Sequence, residues 1–523
     1  MWLLAHPAAA QEALWKTYSD AAQEAFKKGD VAEAERQWLA ALKEAETLGP
    51  QHPRLAETLT RLADVYLAQR KYAAVEPVYQ RLIGVQERLL GAEHPQVATT
   101  LLKLADLQRM QSRYSEAEGV YLRALDIIEK KQGGEHPALA EAVNRLAELY
   151  FIQAKYAEAE PLYRDALRIR EKALGGEDPA VAASLNHLAE LYRVQGKYGE
   201  AELLYGRSRA IFEKVRGPEH RDVAPVLNNL GALYRLTGRY AEAETLARRA
   251  LGILEKTLGP EHLEVSPALA NLAEVSRLQG KYAEAEVLYQ RALAIREKVL
   301  GPTHPEVATS LTGVALVFAD RGRYAVAEVV GRRAVALMDK ALGEGHPEAA
   351  SATSALGRAL LSQGKYGEAG RLLERALEVQ QKSLGAEHPE VAASLANLAE
   401  CNRAQGRPAE AEPLYRRALA IREKSLGGQH PEVAADLSQL ADLYREEQKL
   451  AEAELLYRQA LAIREKALSS EHPEVAKSLN SLAELYRARA RYGEAEPLLR
   501  RALTIWEKTQ GAEHPSVAAC LHN

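Results

Sequence analysis

The sequence predicts an all-α protein, an α-solenoid of stacked antiparallel helix pairs, and three observations point there. Leu, Ala, Glu, Arg and Lys dominate while Phe and Trp number only 4 each, which suits helices packed through small side chains better than a large β core. At 523 residues the chain exceeds what one compact core organises, so it forms either several globular domains or one extended array. The third observation decides between these. His52, His94, His136, His220, His262, His304, His346, His388, His430, His472 and His514 are spaced by multiples of 42, with Asp178 in the single gap. Pro follows at ten of the twelve positions, the exceptions being Arg221 and Leu263. A strict period of this length, running from about residue 50 to the end, marks a repeat array.

Each period contains two helices. From Pro179 to Arg193, apolar residues at Val181, Leu185, Leu188, Leu191 and Tyr192 follow helical spacing and define helix A. Gln195-Gly-Lys-Tyr198 interrupts the pattern with a glycine suited to a helix C-terminus. Helix B follows from about Gly199 to about Val215, and Gly217 closes it before the next marker. Eleven regular pairs fill residues 53 to about 512, preceded by a divergent pair at about 11 to 48 whose turn is Gly29-Asp-Val-Ala-Glu-Ala-Glu35. Together these make a solenoid at 11–512, with a tail at 1–10 and the start of a further helix at 513–523.

Both ends leave alternatives open. Met1 to Gln11 resembles the last part of a secretory signal, with an Ala-x-Ala site but no basic start, so the chain is cytoplasmic or, with a start further upstream, exported or periplasmic. Residues 514–523 leave Leu498, Ile505 and Trp506 short of a full neighbour. A cap, a truncation or a homodimer through this C-terminal end would each answer that.

Three columns of small residues predict how the pairs pack. Helix A carries Ala63, Ala105, Ala147, Ala189, Gly231 and their successors without exception. Helix B carries Ala117, Ala159, Ala201 and so on, broken only by Val75, and a second column from Ala124 in which Leu82 and Ser208 depart. Small residues let helix axes approach closely. A bulky replacement should cost about 1 to 3 kcal/mol through overpacking.

Composition and motifs exclude several functions. A net charge of -4 from 68 basic and 72 acidic residues gives no field that would draw the chain onto nucleic acid. No stretch approaches the roughly 20 apolar residues a membrane span requires, so no membrane insertion is expected. Cys401 and Cys520 are too few and too distant for a disulfide framework and read as packed helix residues. Identical positions in neighbouring repeats lie roughly 10 Å apart, so the histidines cannot share a metal ion. Asp178 in the same column explains them better, because Asp caps helix N-termini and Pro suits the first turn. His220-Arg221-Asp222 spells a kinase triplet, but its His is the repeat marker and no glycine-rich loop accompanies it. The Gly-Lys of the turns is followed by Tyr where a phosphate loop needs Ser or Thr. No catalytic residue, metal or cofactor is expected.

Leu185-x2-Leu188-Ala189-x2-Tyr192, then Ala201, Tyr205 and a small residue at 208, follow the spacing of the tetratricopeptide repeat. The 42-residue period and the phrases LNNL, QGKYAEAE and LYRRALAIREK resemble the variant in kinesin light chain cargo-binding regions and many bacterial repeat proteins. Such a resemblance implies a right-handed superhelix whose concave groove, lined by helix A, binds a protein or extended peptide. It also leaves open a sensor role within a larger effector whose catalytic domain lies outside this chain.

On that groove face the chain repeats itself chemically. An acidic column comprises Asp64, Asp106, Glu148, Glu190, Glu274, Glu400, Asp442 and Glu484. Three residues on stand Arg109, Arg193, Arg235, Arg277, Arg403, Arg445 and Arg487. Pairs at i, i+3 form either a solvated ladder worth about 0.2 to 0.5 kcal/mol each or a set of forks that can turn to a ligand's carboxylates. Amides precede them: Asn144, Asn186, Asn228, Asn229, Asn271, Asn397 and Asn480. Asn is a poor helix former with no evident structural return at these sites, which favours binding. In the resembling repeats, matching asparagines hydrogen-bond the backbone of bound peptide. Residues 305–386 break the pattern, with Leu316 and Ala319, then Arg358 and Leu361, in the charged columns. Leu316 and Leu361 are therefore expected to receive a partner's hydrophobic anchor while the polar ladders fix its register.

Overall fold

The repeated marker works as a helix start. In the computed structural model, which describes residues 7–69, 71–468, 470–511 and 515–523, the Nδ1 atom of His388 accepts from the Glu390 amide at 3.2 Å. His94, His304 and His430 do the same at 3.1 to 3.2 Å, and the Asp178 carboxylate takes their role at 2.7 Å. Pro at the next position fixes where the helix begins. Where Arg221 and Leu263 replace it, helix A starts late, as Val223–Leu236 and Val265–Leu278, each 14 residues against 16 for Pro179–Val194. His514 and the tail at 1–6 lie outside the described residues.

Among the described residues every regular element is a helix, twenty-five in order, and within each compact unit helices pair with their neighbours, as Pro179–Val194 does with Tyr198–Arg216. The first pair is Pro7–Lys27 and Val31–Thr47, so its first helix begins four residues before the expected start. Helix B of a regular repeat spans, for example, Tyr198–Arg216. Its C-terminal glycine, Gly217, has φ +95°, the left-handed region that only glycine adopts without strain.

The small columns lie where the pairs touch. Ala63, Ala105, Ala189, Ala201, Ala243 and Ala250 are fully buried. A Cβ at Gly357 would stand 2.9 Å from Leu373, so that repeat has no room even for alanine without a shift. Ser208, a departure from its column, is buried and donates to the Ala182 carbonyl at 2.7 Å.

Helix B of one repeat meets helix A of the next through a buried position and its partner fourteen residues later. Polar residues pair with polar ones: the Thr100 hydroxyl donates to Gln86 at 2.8 Å, Ser394 to Gln380 at 2.6 Å, and Arg296 to Ser310 at 2.7 Å. Arg422 pairs with Asp436, whose carboxyl burial pushes up to about 7. Elsewhere both partners are apolar, as in Ile128 with Ala142, Met338 with Ala352, and Trp506 with Cys520. A buried polar group costs free energy unless its partner is supplied, so each joint is polar on both sides or on neither.

The chain divides into two compact units, Met1–Ile152 with Ala157–Gly176, and Gln153–Tyr156 with Glu177–Asn523. In the first, buried Trp15 donates to Thr58 at 2.8 Å and buried Trp38 anchors the divergent pair. In the second, the chain returns upon itself. The His472 ring reaches the Leu236 carbonyl through Nε2 at 3.0 Å, 236 residues away in sequence. A Cβ on Gly238 would lie 2.7 Å from that ring, and one on Gly196 would lie as close to the ring of His430. Burial lowers the pKa of both histidines, which keeps Nδ1 free to cap a helix while Nε2–H donates to the returning turn. Tyr240, under this contact, is 7% exposed, whereas Tyr492 in the same column is 65% exposed.

At the C-terminal end, Pro515–His522 is helical, and Val517 and Cys520 pack on Ile505 and Trp506. Of the three residues expected to fall short of a full neighbour, Ile505 and Trp506 are buried and Leu498 is half-buried. Cys401 and Cys520 are free thiols inside helix packing.

Candidate partner-binding face

The acidic column is held from below. Fifteen residues after five of these acids, helix B supplies a tyrosine whose hydroxyl donates to it: Tyr205 to Glu190 at 2.6 Å, Tyr289 to Glu274 at 3.0 Å, Tyr415 to Glu400 at 2.8 Å. Tyr121 with Asp106 and Tyr457 with Asp442 repeat the arrangement. From the same helix A, the arginine three residues on clamps three of these acids. Arg193 donates to Glu190 through Nε at 2.8 Å and also through Nη2. Arg277 holds Glu274 at 2.8 and 2.9 Å, and Arg403 holds Glu400 at 2.9 and 2.6 Å.

At Glu190, Glu274 and Glu400 the acid, arginine and ring thus form one bonded unit. Burial alone would raise the pKa of Glu190 and Glu274, but the arginine clamp and the tyrosine hydroxyl outweigh it and hold both below the usual range. Asp442 is the contrast. Burial raises it, because Tyr457 is close but Arg445 stands 3.8 Å off.

The sequence carried this unit as a covariation between columns. Asp64, Asp106, Glu148, Glu190, Glu274, Glu400 and Asp442 each have a tyrosine fifteen residues later. Where the acid is missing, at Ala232, Leu316 and Arg358, the tyrosine is missing too, replaced by Ala247, Gly331 and Leu373. Glu484 with Leu499 is the exception.

The arginines also link neighbouring repeats. Arg277 reaches Asp320, Arg403 reaches Glu446, Arg235 stands 4.0 Å from Glu274, and Arg445 stands 3.6 Å from Glu484. Arg487 instead donates to Asn523 at 3.2 Å. The guanidinium side chains of Arg193, Arg277 and Arg403 are 19 to 23% exposed, so each shows an edge to solvent while its donors face partners within the chain.

The amides have a structural return that the sequence did not suggest. Asn229 donates to Asn186 at 3.1 Å, Asn397 to Ser354 at 3.3 Å, and Asn523 to Asn480 at 3.1 Å, each bridging adjacent A helices. Asn480 also donates to Glu484 at 2.7 Å. Asn186, Asn229, Asn271, Asn397 and Asn480 are half-buried on the face. Asn144 and Asn228, expected to be exposed, are buried: Asn144 turns in to donate to Glu148, and Asn228 lines a small cavity with Asn271.

Between Pro305–Asp320, Tyr324–Leu342 and Pro347–Ser362 the face opens into a cavity of about 130 Å³. Leu316 stands on its wall and is 36% exposed. Leu361 does not line it, because it packs back onto the core cluster of Leu356 and Leu360. The two leucines expected to share one patch therefore serve different surfaces.

Among the described residues, no group of three or more His, Cys, Asp or Glu side chains could hold a metal ion, and no helix is long and apolar enough to cross a membrane.

Stacked helix pairs joined through small columns define a repeat scaffold, and comparison with known families gives its class. Models of the tetratricopeptide repeat match residues 16–86, 76–130, 116–172, 138–214, 180–256, 222–298, 264–340, 348–424 and 397–466, and a second such model matches 475–516. The chain belongs to the tetratricopeptide repeat family, whose members are in general protein-interaction scaffolds. None of the curated proteins matches it. Among solved structures it is similar to nearly identical TPR-like repeats of a Podosopora anserina protein described as a kinesin light chain, at 34% identity and a TM-score of 0.34. That match covers 40% of this chain and 98% of the other. It is also similar to BtubC (BKLC) from P. vanneervenii, at 22% identity and a TM-score of 0.29, covering 56% and 93% respectively.

Proposed function

We propose that the chain captures an extended segment of a partner protein along the helix A face of its second unit. The supporting observation is the row of half-exposed clamps at Arg193 to Glu190, Arg277 to Glu274 and Arg403 to Glu400, with Asn186, Asn229, Asn271, Asn397 and Asn480 beside them. Every arginine there already has an intramolecular carboxylate or amide, so a ligand exchanges one set of charge-assisted bonds for another at small net cost. The cavity beside Leu316 interrupts this polar row and suits an apolar anchor.

Affinity capture with mass spectrometry tests the proposal, comparing the wild type with a variant carrying Arg403→Glu, Arg445→Glu and Arg487→Glu. Loss of a reproducible set of partners is expected. Identical partner lists would remove the arginine row as the binding surface.

A further inference from the structure

The cavity beside Leu316 exists because one side chain of the repeat is missing. In the preceding repeat the Tyr289 ring lies against the next helix A, so close that a Cβ on Gly313 would stand 2.4 Å from its Cε1. One repeat later the ring position is Gly331, and the cavity opens where a ring would sit. Leu316 takes the place of the acid that a tyrosine hydroxyl would have met.

We propose that this cavity is a receptor pocket for a phenylalanine side chain of a partner protein. The proposal rests on the helix A face being the capture surface and names the group it would hold. Three features select that group. The volume, about 130 Å³, approaches the roughly 150 Å³ at which an apolar cavity takes up benzene. The buried lining is Ala315, Ala327, Ala334, Ala352 and Leu356 around Gly331, whose side chains offer no hydrogen-bond acceptor, while the two lining hydroxyls belong to half-buried Thr312 and exposed Ser362. At the mouth stand exposed Arg358 and exposed Asp320, polar groups placed to meet the backbone that carries the ring.

Direction decides between phenylalanine and tyrosine. The chain's own tyrosines rise from helix B and turn their hydroxyls toward the acids of the face. A partner's ring enters from the face, so its tip points down onto the alanines. A hydroxyl there would be buried without an acceptor, whereas a phenyl ring only exchanges water for apolar contact.

The test uses the full chain, methyl-labelled at alanine and leucine for NMR, titrated with N-acetylphenylalaninamide and separately with N-acetyltyrosinamide. Saturable shifts at Ala315, Ala327, Ala334 and Leu356 are expected with the first probe, and at least tenfold weaker binding of the second. Gly331→Tyr, which restores the ring of the other repeats, should abolish the effect, and Gly331→Leu should do the same with a smaller side chain should the tyrosine variant misfold. Absence of saturable shifts, equal binding of the two probes, or binding that survives in a folded Gly331 variant would each overturn the proposal. The probes require no partner, so this result stands apart from the capture experiment with the arginine variants.

Discussion

Four repeats lack the ring that supports the face, and two of them, at Ala247 and Gly331, answer its loss in opposite ways. At Ala247 the space is reduced to about 10 Å³, closed by Asn228, Arg235 and Asn271. At Gly331 it remains about 130 Å³, because the corresponding neighbours are short: Thr312, Ala319 and Ala355. A missing side chain leaves a cavity only where the surroundings cannot collapse into it, and long polar side chains from helix A can. A third repeat substitutes Leu373 and seats it hard against Gly357. Openness at Gly331 is therefore a property of several residues acting together, which is what makes that site distinct from ordinary repeat variation.

The largest expected effect breaks a regular unit. Tyr205→Ala should cost about 3 to 5 kcal/mol, because it removes a fully buried ring in a repeat whose Glu190 needs it. Hydrogen exchange should show lost protection across Pro179–Val194 and Tyr198–Arg216. A cost below about 1 kcal/mol would mean that arginine side chains can close any such gap, and the contrast between Ala247 and Gly331 would lose its basis.

Ala247→Tyr should come next, destabilising by about 1 to 3 kcal/mol, since the ring must displace Arg235 and Asn271 from space they already fill. Gly331→Tyr, whose Cβ meets Leu356 at 3.1 Å but whose ring can occupy the cavity, should cost less than Ala247→Tyr when both are measured by chemical denaturation. Reversed order would show that the two sites differ in backbone spacing instead of in side-chain filling.

Tyr205→Phe keeps the ring and removes the hydroxyl, with an expected loss of about 1.5 kcal/mol at neutral pH. The sign of its pH dependence follows from Glu190, whose folded pKa is held low by Arg193 and Tyr205 against the effect of burial. A carboxylate of that kind stabilises fully above its unfolded pKa of about 4.3 and loses the contribution as pH falls through the lower folded value. The gap between wild type and Tyr205→Phe should therefore narrow below about pH 4. A constant gap would place the hydroxyl's role in packing alone.

Most of the fold was legible in the sequence because it depends on local, repeated features. His388 and Pro389 set a helix start by contacts within two residues, and the alanine columns set how pairs approach. The pairing of Glu190 with Tyr205, and of Gln380 with Ser394, was equally present as a constant separation between columns, although each column viewed alone showed only an acid or a polar residue. The return contact of His472 with Leu236 was not legible. It depends on how small rotations accumulate over more than five repeats, and His472 carries the same Glu-His-Pro-Glu-Val-Ala phrase in sequence as His388. Leu361 was misplaced for a related reason: one residue of phase along a helix separates the cavity wall from the core.

The exception to the covariation offers the smallest and most diagnostic effect. Glu484 keeps its acid although Leu499 has replaced the ring, and amides stand in for the hydroxyl: Asn480 donates at 2.7 Å and Asn523 at 3.1 Å. Asn480→Ala should cost about 1 kcal/mol, the ordinary worth of a hydrogen bond to a carboxylate that retains another partner. Asn397→Ala should cost less, because Asn397 donates to the Ser354 hydroxyl at 3.3 Å while Glu400 keeps both Tyr415 and Arg403. If the two substitutions prove equal in thermal unfolding, the amide at 480 does not replace the ring, and the acid at 484 is retained for what it presents on the face.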